Sequence, residues 1–340
     1  MKKVLFLLIL NLLYSCKTAE DHQNRGLSNL ELGKYNEAID DFNNAIKLKP
    51  DFADAYYFRG HSATMLRDHS GSISDFNKAI KIDPAYVIAY GNRGVAKDVL
   101  KDYYGAIADF TKAIELKPDF ATAYYLRGNS KVKLKDYYEA ITDFNKAIEL
   151  NPDYANAYFE RGNSKKKLGN SFSSDYNKAI ELNPNYLDAY FNRGNLKDSL
   201  KDYYGAIADF TKAIELNPDF ATAYFNRGNS KAKLKDYYGA IADFTKAIEL
   251  NPDFATAYFN RGNSKAKLKD YNGAINDFIY AIELNPIDGD AYKARGSAKF
   301  YLKQDYCSDY KKACELGKSD CCEWYKEDCK AFISIDTLEF

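Results

Sequence analysis

The fold is set by a segment such as residues 121–154, which reads ATAYYLRGNSKVKLKDYYEAITDFNKAIELNPDY. In its second half, apolar residues recur at intervals of three, four and three residues, which is the spacing of one face of a helix. These residues are Tyr137, Ala140, Phe144 and Ala147. A first helix precedes a turn at Lys135 and Asp136, and Pro152 ends the second helix because proline disfavours a helical residue before it. The segment is therefore predicted to be a helical hairpin.

The same hairpin is repeated along almost the whole chain. Its eight prolines lie 34 residues apart, except for one interval of 32 residues between Pro152 and Pro184. A fixed period of this length is typical of a repeat array, in which each hairpin packs on its neighbours. We number the places within a repeat from 1 to 34, with Ala121 at place 1. The repeats start at Ala19, Ala53, Val87, Ala121, Ala155, Leu187, Ala221, Ala255 and Gly289.

This pattern resembles the tetratricopeptide repeat: an aromatic residue stands at place 4, Gly at 8, Ala at 20, an aromatic at 24, Ala at 27 and Pro at 32. The resemblance implies an all-α fold, a right-handed superhelical solenoid of about nine hairpins with a C-terminal capping helix. The fifth and ninth repeats lack two residues near the turn between the helices. We expect the array to span residues 19–317, and a cysteine-rich capping helix and tail to span residues 318–340.

Composition argues against several classes of function. Lys plus Arg and Asp plus Glu both number 48, so no net charge attracts the protein to nucleic acid. The three histidines, His22, His61 and His69, do not pair with cysteines or carboxylates at metal-ligand spacing, and there is no glycine-rich phosphate loop. We therefore expect no enzymatic activity, no cofactor, no bound metal and no small-molecule substrate.

The N-terminal sequence predicts export and a lipid anchor. Lys2 and Lys3 precede an apolar stretch, residues 4–13, that is too short to span a bilayer as a helix. The following Leu-Tyr-Ser-Cys resembles the bacterial lipoprotein box, which implies a signal peptide over residues 1–15, lipidation of Cys16 and a linker over residues 16–18. The membrane is then a partner through the anchor. By the same resemblance to bacterial lipoproteins, Lys17 in place of Asp after the cysteine implies sorting to the outer membrane. The alternative is an ordinary signal peptide followed by an incidental cysteine.

An arginine and an aspartate recur together in every repeat. The arginines, at place 7, are Arg25, Arg59, Arg93, Arg127, Arg161, Arg193, Arg227, Arg261 and Arg295. The aspartates, on the second helix, are Asp41, Asp75, Asp109, Asp143, Asp175, Asp209, Asp243, Asp277 and Asp309. Equal numbers in a fixed register predict one structural ion pair per repeat. The alternative is a basic ladder that binds a phosphorylated or acidic ligand.

Three places on the first helix form the predicted binding groove, because the resemblance implies that first helices line the inner, concave surface of the superhelix. Place 5 carries the aromatic residues Tyr57, Tyr125, Phe159, Phe191, Phe225 and Phe259. Place 6 carries Asn92, Asn192, Asn226 and Asn260. Place 9 carries Asn129, Asn163, Asn195, Asn229 and Asn263.

The repeated asparagines predict recognition of an extended polypeptide. An amide offers a donor and an acceptor, so a ladder of them can pair with a peptide backbone of any sequence, while neighbouring aromatic rings take apolar side chains. The place-6 residues also resemble the asparagine ladder of tetratricopeptide proteins that hold long polypeptides. In one alternative the asparagines only cap or solvate the helix face. In another, the protein is an assembly factor that docks on folded subunits of an envelope, secretion or pilus machine.

A cysteine cluster near the C-terminus predicts a disulfide-bonded cap, since an exported chain is oxidised. Facing residues of an antiparallel hairpin keep a constant sum of residue numbers, and Cys314 with Cys322 gives the same sum as Cys307 with Cys329. We therefore expect these two disulfides, with Cys321 left unpaired. The shorter loop also resembles the cysteine-rich Sel1-like relatives of the repeat. Zinc binding by the cluster is the alternative.

Overall fold

The computed structural model describes residues 18–329, and every regular element in this range is a helix. The predicted signal peptide, Cys16, and the tail after Cys329 lie outside the described residues. The chain divides into two compact units, an N-terminal unit of residues 1–182 and a C-terminal unit of residues 183–340. Within residues 18–329, no helix combines the length and the apolar character needed to cross a bilayer.

The N-terminal unit contains five hairpins. Their helices are α1 (Ala19–Glu31), α2 (Tyr35–Leu48), α3 (Ala53–Met65), α4 (His69–Ile82), α5 (Val87–Val99), α6 (Tyr103–Leu116), α7 (Ala121–Lys133), α8 (Tyr137–Leu150), α9 (Ala155–Lys167) and α10 (Ser173–Leu182). The last of these helices is short because the fifth repeat lacks two residues, and its turn runs through Gly169 at a φ of +72°.

The C-terminal unit contains four hairpins and a final helix. Its helices are α11 (Leu187–Ser199), α12 (Tyr203–Leu216), α13 (Ala221–Lys233), α14 (Tyr237–Leu250), α15 (Ala255–Lys267), α16 (Tyr271–Leu284), α17 (Gly289–Tyr301), α18 (Cys307–Glu315) and α19 (Ser319–Asp328). From α1 to α17, the odd-numbered helices begin at the first residues of the repeats.

Each hairpin closes around a glycine and an aromatic ring. In the seventh repeat, a Cβ at Gly228 would lie 2.8 Å from the Phe244 ring, so the residue at this place cannot carry a side chain. A glycine inside a helix costs about 1 kcal/mol relative to alanine. The close approach offsets that cost by burying Phe244 completely, together with Ala240 and Ala247.

Neighbouring hairpins share a second apolar layer. The buried residues Ala247 and Ile248 of one hairpin and Ala257 of the next pack with the ring of Phe225, from the first hairpin, and with that of Phe254, which lies between the two hairpins. The same cluster recurs around Ile114, Ile214 and Ile282. A single hairpin therefore leaves an apolar face that the next hairpin covers.

The predicted Arg–Asp ion pair is confirmed in all nine repeats. Arg227 donates through Nε at 3.0 Å and through Nη2 at 2.7 Å to the two carboxylate oxygens of Asp243. Its Nη1 donates at 3.0 Å to Thr211 Oγ1 of the preceding hairpin, and its guanidinium lies over the Tyr224 ring. The arginine thus joins two hairpins and is engaged internally, which argues against the basic-ladder interpretation.

Eight of the nine aspartates have a further partner that sequence reasoning missed; the exception is Asp75 of the second repeat. Lys231, one turn after Arg227, places Nζ at 2.8 Å from Asp243. The same lysine recurs as Lys97, Lys131, Lys165, Lys197, Lys265 and Lys299. In the first repeat, where Asn29 replaces the lysine, the hydrogen bond from Arg25 lowers the pKa of the Asp41 carboxyl below its ordinary value.

The C-terminal end of the array is closed by α18 and α19. The structure contains both disulfides, Cys307–Cys329 and Cys314–Cys322. Disulfide-bonded sulfurs carry no thiolate for zinc, so the zinc interpretation does not fit this arrangement. Cys321 is a free thiol, fully buried with Tyr310 in the core of this cap.

Candidate functional site

Five of the six predicted asparagines of the C-terminal unit line one depression of about 470 Å³. It lies along the first helices α11, α13 and α15, and its asparagines are Asn195, Asn226, Asn229, Asn260 and Asn263. We call these five residues the asparagine face. Asn192 is half-buried on α11 and is not among the residues that line this depression.

The asparagines bond to one another across neighbouring hairpins. Asn226 Nδ2 donates at 2.8 Å to Asn195 Oδ1, and Asn260 Nδ2 donates at 2.8 Å to Asn229 Oδ1. Two asparagine side chains have two NH₂ groups and two carbonyl oxygens between them, and each hydrogen bond joins one NH₂ group to one carbonyl oxygen. The Asn195–Asn226 pair therefore keeps the oxygen of Asn226 and the nitrogen of Asn195 for a ligand, and the next pair repeats the arrangement.

In the N-terminal unit the asparagines are held differently. Asn92 Nδ2 donates at 2.9 Å to the hydroxyl of Tyr57, and burial raises the pKa of that hydroxyl. Asn163 accepts at 2.8 Å from the Tyr176 hydroxyl and donates at 3.2 Å to Glu160. The remaining predicted asparagine, Asn129, is half-buried on α7. The asparagines of this unit thus bond to phenols and to a carboxylate, unlike the amide pairs of the C-terminal unit.

The prediction for the place-5 aromatic residues needs correction. Tyr57 and Phe159 are buried, with 9% and 6% of their surface exposed, so they are not available to a ligand. Phe225 is half-buried against Phe244 and Phe254, with ring centroids 5.8 and 4.7 Å apart. Tyr125, Phe191 and Phe259 make the equivalent contacts with place-24 rings. These rings mainly fill the space between hairpins, because the first helices pack too closely to leave them in a groove.

The exposed aromatic surface of the depression comes instead from a second helix, through the half-buried Tyr237 of α14. Phe210 and Phe244, on α12 and α14, lie beneath the depression and are themselves fully buried. Of the predicted place-5 residues, Phe259 lines an adjacent depression of about 560 Å³. The arrangement still combines amides with an aromatic ring, but that ring, Tyr237, comes from a second helix and is not at place 5.

Charged residues at the edge of the depression were missed by the sequence analysis. The carboxylate of Asp198 accepts at 2.7 Å from Ser230 Oγ and at 2.6 Å from Lys233 Nζ. Lys233 also lies 5.2 Å from the centroid of the Tyr203 ring. The N-terminal unit contains the same set, in which Asp98 accepts from Ser130 and Lys133. The sequence did contain a signal for these ion pairs: an Asp at place 12 is followed 35 residues later by a Lys in two cases, Asp98 with Lys133 and Asp198 with Lys233.

Tandem helical hairpins with a polar, amide-lined depression define a scaffold suited to binding proteins or peptides. Family models described as TPR repeat match residues 26–62 and 128–169. Models described as tetratricopeptide repeat match residues 53–86, 87–120, 187–220, 221–254 and 255–288. Together these matches cover more than half of the chain, which belongs to the tetratricopeptide repeat family. Proteins of this family are generally non-catalytic scaffolds.

Several solved structures are similar to this chain. A MamA protein is 26% identical, with a TM-score of 0.46, over 50% of this chain and 94% of that chain. MamA 41-end from Desulfovibrio magneticus RS-1 is 20% identical, with a TM-score of 0.47, over 49% of this chain and 96% of that chain. YrrB, titled a TPR protein with an unusual peptide-binding site, is 25% identical, with a TM-score of 0.38, over 65% of this chain and 97% of that chain. No curated protein sequence matches the chain significantly.

Proposed function

We propose that the protein is a non-enzymatic scaffold that holds an extended polypeptide along the asparagine face and is tethered to the bacterial cell envelope through Cys16. The observation that carries the first part is the two hydrogen bonds between side-chain amides, Asn226 to Asn195 and Asn260 to Asn229. Each pair fixes the orientation of its amides and keeps one acceptor and one donor for the backbone of a ligand.

Repetition of the pairs favours an extended ligand over a folded one. Residues 203–236 and 237–270 are identical in sequence, so the two copies present the same groups one hairpin apart. An extended chain also presents its carbonyl and N–H groups at a regular spacing, whereas a folded surface uses most of these groups internally. The half-buried ring of Tyr237, which lines the depression beside the amides, supplies a sequence-tolerant apolar contribution to affinity.

Replacing Asn226, Asn229 and Asn260 together by alanine is expected to weaken binding of an unfolded polypeptide about tenfold. Each lost hydrogen bond contributes about 0.5–1.5 kcal/mol. Three bonds at the lower end of this range already correspond to about a tenfold change in Kd. The probe is lactalbumin that has been unfolded by reduction and alkylation with iodoacetamide. Its Kd is measured by fluorescence anisotropy and is compared with the Kd of folded lactalbumin.

A matched control makes the same chemical change away from the depression. Asn272 and Asn276 are exposed on the second helix α16, so their replacement by alanine should leave the Kd unchanged. Equal affinity of the triple variant and the wild type would exclude the asparagine face as the site. The assembly-factor alternative would be supported instead if crosslinking captured folded subunits of an envelope, secretion or pilus machine and if the triple change did not reduce their capture.

The tether is tested separately, because Cys16 lies outside the described residues. In a bacterial host, Cys16→Ser is expected to move the protein from the membrane fraction to the soluble fraction, and mass spectrometry should find acyl chains on Cys16 of the wild type only. Acyl chains contribute about 0.8 kcal/mol for each buried CH₂, so several of them hold a protein firmly on a membrane. A wild-type protein that is soluble after export would contradict the tether and leave the binding proposal standing.

A further inference from the structure

One lysine at the edge of the depression lacks the ion pair that its counterpart one repeat earlier makes. At the edge of the depression, Lys233 forms an ion pair with Asp198 of the preceding hairpin. Lys267 holds the same place one repeat later, but the residue that corresponds to Asp198 is Ala232. Among residues 18–329, Lys267 has no ion-pair partner.

The two lysines lie in identical segments, and the preceding helix offers a carboxylate to only one of them. Lys233 and Lys267 stand at the same position of the two identical segments, 203–236 and 237–270. Their own helices, α13 and α15, have identical sequences as well. The C-terminal unit therefore has two equivalent lysines, Lys233 with an internal carboxylate as its partner and Lys267 without one.

Lys267 lies where a bound polypeptide would pass. It lines both the depression that contains the asparagine face and the adjacent depression that contains Phe259. Asn263 also lines both. The N-terminal unit differs here, because Glu160 stands at the place that Asn226 and Asn260 occupy and adds a carboxylate to its face.

We infer that the C-terminal unit selects extended polypeptide segments with an acidic side chain, which pairs with Lys267 in the position that Asp198 takes beside Lys233. This inference rests on the proposed function and adds a specificity to it. Charge complementarity carries it: the Asp198–Lys233 pair shows the carboxylate position that the fold accepts, and Ala232 leaves the equivalent position without a carboxylate. An ion pair of this kind is exposed, so its effect is selective and modest.

The test compares two unstructured twelve-residue peptides of Gly, Ser, Thr and Leu, acetylated and amidated at their ends, with a single central Glu or Gln. Fluorescence anisotropy at low salt should give a Kd about three- to fivefold lower for the Glu peptide, since an exposed pair contributes that much. The preference should shrink as salt screens the pair. Equal affinities would overturn the inference while the proposed function stands, and failure of both peptides to bind would overturn the proposed function itself.

Reciprocal variants make the assignment specific. Ala232→Asp supplies the missing carboxylate and should abolish the preference for Glu, as should Lys267→Ala. Asp198→Ala frees Lys233 and should increase the preference for Glu. Thermal unfolding of each variant checks that the fold is retained.

A third peptide distinguishes the two sources of a carboxylate. It is the Gln peptide with a free C-terminus. Preferential binding of this peptide, without a preference for Glu over Gln, would overturn the assignment to a side chain.

Discussion

Replacing Asp243 by alanine is expected to lower the free energy of unfolding of the C-terminal unit by about 3–5 kcal/mol, because it leaves two cations without a counter-charge. The Asp243 side chain is 5% exposed and accepts from Arg227, whose side chain is 16% exposed, and from Lys231. Urea unfolding followed by circular dichroism measures the loss.

The control removes an acid that lies on the same helix but in solvent. The Glu249 side chain is 58% exposed and pairs with Lys246 at 3.1 Å, so Glu249→Ala should cost less than about 1 kcal/mol. Arg227→Ala should fall between the two, because Lys231 continues to neutralise Asp243. A cost for Asp243→Ala no larger than that for Glu249→Ala would show that the ion pair does not hold the hairpin together.

The position of this aspartate also shows what the sequence could predict. Arg227 and Asp243 recur with a fixed separation in the full-length repeats, and a regular hairpin brings two such places together wherever they occur. Lys231 recurs in seven repeats, one helical turn after the arginine, and so lies on the same side of its helix. The second cation was therefore also predictable, since spacing along a helix decides it without knowledge of the packing angle.

The candidate site was harder to predict because it depends on how neighbouring hairpins pack. An aromatic residue such as Phe225 has the same spacing whether it faces a groove or a core, and its contacts with Phe244 and Phe254 decide the matter. The bond between Asn195 and Asn226 joins places 9 and 6 of successive repeats. Which two places meet depends on how far one hairpin is shifted relative to the next. The periodicity along a single helix gives no information about that shift.

The asparagine pairs and the Asp–Lys pair differ in how much of their bonding capacity they leave for a ligand. Asn226 and Asn195 satisfy part of their hydrogen-bonding capacity internally and present the rest. Asp198 and Lys233 satisfy each other's charge, which makes that part of the surface insensitive to the charge of a ligand. Specificity for charge can then arise wherever a repeat loses one partner, as Lys267 has, without any change in the fold.

Removing the disulfides of the C-terminal cap is the second change with a large expected effect. Cys307→Ala with Cys329→Ala opens a loop with a sequence separation of 22 residues, and Cys314→Ala with Cys322→Ala opens one of 8 residues. A crosslink restricts the unfolded chain more when its loop is longer, so we expect losses of about 3.5 and about 2.5 kcal/mol. Thermal unfolding of the two double variants measures both, and a larger loss for the shorter loop would contradict this account.

The free thiol of Cys321 determines the conditions under which these disulfides persist. Burial raises the pKa of Cys321 to about 11, and the thiolate is the form that attacks a disulfide. At pH 8 we therefore expect iodoacetamide to label Cys321 only after unfolding in urea, and peptide mapping to find both disulfides unchanged. Because the folded cap favours the thiol, its stability should be unaffected at neutral pH and should fall as pH rises from about 8.5 toward 11. Rapid labelling of the folded protein at pH 8 would show that the cap opens, and exchange of the two bonds would then follow at neutral pH.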